Sequence, residues 1–139
     1  MFRRILVPLD FTDKSTVALD MAIQFAGPSQ AGVTLLHVIE TVEHLPFEDL
    51  RGFYGKLEEE AHARLRLRLG MFEEKALEVE HDVVYGRRAE EIVRYALEKE
   101  MDLIILSSHR IEPGRPSPAW GTISYQVAIM AQCPVLLVK

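Results

Sequence analysis

"RRILVPLDFTDKSTVALDMAIQFAGPSQAGVTLLHVI", residues 3–39, carries the first evidence of architecture. It opens on an apolar run, 3–9, of the kind that forms a strand buried on both faces. A helical pattern follows in "TDKSTVALDMAIQFAG", where Val17, Ala18, Met21, Ala22 and Phe25 recur on one side. Thr12 or Asp13 can cap its start, and Gly27 with Pro28 can end it. A second apolar run, 32–39, closes the unit. Strand, helix and strand in this order imply two parallel strands joined by a right-handed crossover.

The remainder continues the alternation. Further strand-like runs cover 77–85, 102–108 and 134–139. The run at 77–85 sets Val79, Val83 and Tyr85 among charged residues, which places it nearer a sheet edge. Between the second and third runs, 46–76 is a long amphipathic segment. It carries Leu50, Phe53, Tyr54, Leu57, Ala61, Leu65, Leu69 and Phe72 at helical steps, with Gly52, Gly55 and Gly70 expected to loosen it. "RRAEEIVRYALEKE" brings Ala89, Ile92, Val93, Ala96 and Leu97 together, and "TISYQVAIMAQ" does the same for Ile123, Val127, Met130 and Ala131. The reading is one α/β domain over 1–139, a five-stranded parallel sheet with helices between the strands. In such a sheet the ligand crevice lies beyond the carboxyl ends of the strands, where the winding reverses.

Composition narrows the function classes. The net charge of −5 argues against general nucleic-acid binding, which needs a basic face. Cys133 is the only cysteine, so no intrachain disulfide can form, and this suits a reducing compartment such as the cytoplasm. The apolar part of the N-terminus stops at Asp10, too short for a signal peptide, and no run is long enough for a membrane span.

Two places after strands carry candidate chemistry. Asp10 directly follows the first strand, where a carboxylate can accept hydrogen bonds from a ligand hydroxyl or amine. Asp13 reads as the better helix cap, because Asp10 sits too early. Gly121 precedes the last helix, with Thr122 and Ser124 in its first turn. Unpaired N–H groups and the helix dipole there suit a phosphate, although the same residues also make an ordinary capped helix start. His37, His44, His62, His81 and His109 show no close metal-ligand spacing, and no metal site is expected. Cys133 reads as a packed thiol and Trp120 as a packing residue. No Ser-His-Asp or paired-carboxylate arrangement stands out, so no catalytic residue is assigned.

The chain resembles the universal stress protein family from end to end. The resemblance is carried by "RRILVPLDFTDKSTVALDMAIQFA", "LLHVIE", "GRRAEEIVRYA", "DLIILSSHR" and, most specifically, "GTISYQVAIMAQCPVLLVK". It implies a Rossmann-like sheet of strand order 3-2-1-4-5 and a homodimer. Some members of the family bind ATP and others do not.

In the ATP-binding members a glycine-rich loop runs into the last helix. Gly121 and Thr122 match the end of that motif, and His109 is a familiar histidine within it. Ser107 falls on the first motif glycine and Arg110 on the second. Ten residues separate Arg110 from Gly121, one more than the family spacing. A bulky residue at positive φ costs roughly 1 kcal/mol or more, so Arg110 counts against the usual phosphate nest. Pro113, Pro116 and Pro118 remove three N–H donors. Conversely, Arg110 and Arg115 can clamp phosphate with their side chains. The resemblance places Asp10 and the Val38 backbone beside a nucleoside. It places Ser107 and Arg110 near sugar or phosphates, and Gly121, Thr122 and Ser124 on the phosphates. The ligand expected is ATP or AMP, with Mg²⁺ if ATP. The rival readings are a dimeric interaction module that binds no nucleotide and a slow ATPase. The dimer is expected through the last strand, Val135 to Val138, whose edge carries no charge or proline along its middle.

Overall fold

The structure, a computed structural model, describes residues 1–108, 114 and 122–139. The elements are β1 (Arg4–Pro8), α1 (Ser15–Ala26), β2 (Gly32–Glu40), a 3-10 turn (Phe47–Leu50), α2 (Arg51–Glu73), β3 (Val79–Gly86), α3 (Arg88–Glu98), β4 (Leu103–Ser107), α4 (Ile123–Met130) and β5 (Val135–Val138). The five strands form one parallel sheet in the order β3-β2-β1-β4-β5. This is the 3-2-1-4-5 order that the resemblance implied, and β3 is an edge strand, as its charged residues foretold.

Alternation along β1 divides the core between the two faces of the sheet. Ile5 and Val7 point to one face, where α1 and α2 pack through Ala18, Leu19, Ala22, Tyr54, Leu65 and Phe72. Leu6 points to the other, where α3 and α4 pack through Ala89, Ile92, Ala96 and Val127. Period-2 strands between two helical layers give the central strands no polar face, which is why β1 and β4 read as unbroken apolar runs.

The helix faces differ in part from the sequence reading. In α1 the buried residues are Ser15, Ala18, Leu19, Ala22 and Ala26, whereas Val17 and Phe25 are exposed. The alanines at four-residue steps let the helix lie close to the sheet, and this rotates the larger side chains outward. Phe25 instead meets Phe2, with ring centroids 6.0 Å apart. Phe53, Leu97 and Met130 are likewise exposed, although the helical spacing assigned the latter two to buried faces and Phe53 to that of α2. Gly52, Gly55 and Gly70 all lie within the continuous α2 and do not break it. Among the described residues no helix is long and apolar enough to cross a membrane.

Candidate functional site

The site begins at the carboxyl end of β1, where the chain must leave the sheet. Leu9 still donates its N–H to the carbonyl of Leu36, at 2.8 Å. The next two residues turn away, and Phe11 takes up a left-handed backbone with φ 64°. For a non-glycine residue that conformation costs on the order of 1 kcal/mol, so its surroundings must hold it. They do so from three sides. The ring of His37, on β2, stacks on Phe11 with centroids 4.3 Å apart. The guanidinium groups of Arg64 and Arg68, on α2, lie over the Phe11 ring at 5.4 and 5.1 Å from its centroid. His37 donates its Nδ1–H to the carbonyl of Leu9, at 2.7 Å, which ties the same turn to β2. Burial pushes the His37 imidazole below its ordinary range despite that bond.

Asp10 is organised by the same turn. Its Oδ1 accepts from the Thr12 backbone N–H at 3.0 Å, from Thr12 Oγ1 at 2.7 Å and from Ser15 Oγ at 3.1 Å. Burial raises the carboxyl's affinity for protons, but the bonds from Thr12 and Ser15 outweigh it and hold the group below the usual carboxylate range. This corrects the sequence reading of the helix start. The residue before α1 is Lys14, without a side-chain cap, and Asp10 rather than Asp13 receives the loop hydroxyls. One Asp10 oxygen is committed to the loop, and its position still puts the carboxylate in the wall of the crevice.

That crevice is a cavity of about 300 Å³ beyond the ends of β1, β2 and β4. Its walls include Asp10, Val38, Ser107, Thr122 and Ser124, five of the eight residues singled out in the sequence. They come from β1, β2, β4 and the start of α4, and only the 3-2-1-4-5 order brings these together. The other three, His109, Arg110 and Gly121, lie outside the described residues, as do Arg115, Trp120, Pro113, Pro116 and Pro118. Val38 is buried in the slot, whose apolar walls are completed by Leu36, Ile92, Leu106 and Ile123. Thr122, also in the wall, caps α4, accepting from the Tyr125 N–H at 3.4 Å. Ser124 is buried, with its hydroxyl 3.2 Å from Ser108 Oγ and 3.3 Å from Thr122 Oγ1. Lys139 Nζ donates to Ser108 Oγ at 3.3 Å, adding a cation beside this hydroxyl cluster. An apolar slot whose rim offers a carboxylate, an arginine and hydroxyls suits a flat heterocycle carrying polar and anionic groups.

Sequence reasoning missed Arg88 and Phe11. Arg88 lies in the first turn of α3, lines the cavity beside Val38 and faces Glu40 at 3.9 Å. Its signal was its place just after Gly86, at the same end of the sheet as Asp10. Phe11 left no signal, because a left-handed phenylalanine is legible only in the backbone.

Comparison with known proteins agrees with this geometry. The family model described as "Universal stress protein family" matches residues 1–139. Universal stress protein YxiE of Bacillus subtilis is 29% identical, with 100% of each chain covered. Universal stress protein MJ0577 of Methanocaldococcus jannaschii is 30% identical over 100% of this chain and 96% of its own. The solved structure of MJ0577 has a TM-score of 0.83 at 29% identity, covering 100% of this chain and 96% of that one. A universal stress protein solved in complex with cAMP has a TM-score of 0.73 at 21% identity, covering 99% and 97%. One from Arabidopsis thaliana with AMP bound has a TM-score of 0.70 at 17% identity, covering 99% and 91%. The last two are similar in fold.

Proposed function

Because the chain belongs to the universal stress protein family, we propose that it is a cytoplasmic regulatory protein that binds an adenine nucleotide in the crevice beyond β1 and β4. The observation that carries this reading is the meeting of Asp10, Val38, Ser107, Thr122 and Ser124 around one cavity of about 300 Å³. That volume sits at the lower end of small-molecule sites and suits a mononucleotide. The base would occupy the slot beside Val38 and Ile92, with Asp10 and Arg88 at its rim. The phosphate would meet Thr122 and Ser124. Fold neighbours solved with cAMP and with AMP support the ligand class. A monophosphate needs no metal. A triphosphate would bring Mg²⁺, carried mainly on its own oxygens and water.

The test has two arms. Purified protein is denatured and any released nucleotide identified, and the emptied protein is titrated with AMP, cAMP and ATP with Mg²⁺ by calorimetry. Binding weaker than about 1 µM is expected, because Ser107 and Arg110 replace motif glycines. Absence of binding by all three ligands, with none released, would favour the interaction-module reading.

A second feature supports a homodimer. β5 is an edge strand paired only with β4 among the described residues. Leu136 and Leu137 are half-buried along it. A twofold axis can pair this edge antiparallel with its own copy, satisfying its unpaired N–H and C=O groups.

A further inference from the structure

His62 on α2 and His81 on β3 are far apart in sequence, and the fold turns their rings toward each other. Their Nδ1 atoms are 3.4 Å apart, with ring centroids at 5.3 Å and planes inclined at 64°. Neither residue lines the crevice, and both are half-buried at the seam where α2 covers the edge of the sheet. Two facing imidazole nitrogens cannot both present lone pairs without repulsion. Something positive belongs between them, either a proton or a metal ion.

We propose that His62 and His81 form a binding site for a divalent late transition-metal ion, of the zinc, nickel and copper group, between α2 and β3. The spacing carries the argument. Two nitrogens each 2.0–2.1 Å from a tetrahedral zinc are separated by about 3.4 Å, which is the distance observed. The separation of the two nitrogens therefore already suits an ion held between them. Imidazole is a preferred ligand of this group of ions. Among the described residues no group of three His, Cys, Asp or Glu side chains converges on a metal position. Water completes the coordination sphere, reached through the half-exposed side of the seam. An ion held this way staples α2 to the edge strand and stabilises the folded state alone.

The experiment uses the full chain without a purification tag. ZnCl₂ is titrated by calorimetry, and CoCl₂ is added in parallel to read tetrahedral coordination from its visible absorption. One ion per chain is expected, with a rise in melting temperature. His62→Gln and His81→Gln should each lower affinity by about tenfold or more and abolish the thermal shift. His44→Gln, on the exposed loop after β2, should leave both unchanged. Affinity should fall in acid, where protons compete with the ion for imidazole. Circular dichroism checks that each variant is folded, and His62, on one side of a long helix, is read independently of His81. No zinc binding by the native chain would overturn the proposal and leave the pair as a shared-proton contact. Binding that survives in both variants, or that is lost with His44, would overturn it equally.

Discussion

The ring of His37 lies stacked on that of Phe11, and the same histidine donates to the carbonyl of Leu9 two residues before that phenylalanine. One side chain thus fixes both ends of the turn that carries Asp10. The turn is strained at Phe11, with φ 64°, and the stack is what balances the strain.

This arrangement predicts an inverted ranking of substitutions. In most positions glycine is less stable than alanine, because it loses more backbone freedom on folding. At position 11 both variants lose the stack with His37, Arg64 and Arg68, but only glycine adopts the left-handed backbone without cost. Phe11→Gly should therefore be more stable than Phe11→Ala by about 1 kcal/mol in urea unfolding. The opposite order would show that the turn relaxes in the variants.

His37 also predicts a pH dependence. Burial depresses its affinity for protons in the folded chain relative to the ordinary value of 6.5. The unfolded chain therefore binds more protons as pH falls through and below 6.5. The stabilisation is complete above that value and is lost progressively as pH drops toward the folded-state value. His37→Gln should flatten this part of the stability–pH curve, as measured by denaturant midpoints at a series of pH values. An unchanged slope in the variant would assign the effect to other groups.

Gly86 ends β3 with φ 145°, and a Cβ there would come within 2.7 Å of Glu91 Cγ. A side chain at this position is strained by backbone and contact together. Gly86→Ala should cost about 1 kcal/mol or more and should displace the first turn of α3, which carries Arg88. Thermal unfolding reads the first effect and nucleotide titration the second. A variant as stable as the native chain would mean that Glu91 swings aside and the backbone adapts.

The homodimer is tested at β5. The carbonyls of Pro134 and Val138 face β4, so position 137 lies on the outward-facing alternation of the strand. Leu137→Pro removes an N–H from the open edge, and sedimentation should then show monomer where the native chain sediments as dimer. A native chain that stays monomeric across the concentration range would end that part of the proposal. Circular dichroism separates loss of the dimer from loss of the fold.

The sequence by itself determined the architecture. Apolar runs at 3–9, 32–39 and 102–108 and helical periods between them are local patterns, each set by the need to bury a strand on two faces or a helix on one. Motif residues such as Asp10, Thr122 and Ser124 were legible because they sit where strands end and helices begin. Only the tertiary structure decided which of them meet. Asp10 and Ser107 line one cavity because β1 and β4 are neighbours in the sheet, a pairing that spans nearly a hundred residues. The outward rotation of Val17 and Phe25 likewise depends on how closely α1 approaches the sheet, and helical spacing alone does not contain that distance. Phe11 and the facing rings of His62 and His81 were invisible for a related reason. A positive φ and a contact between α2 and β3 are properties of the packed chain, and residue type at a position records neither.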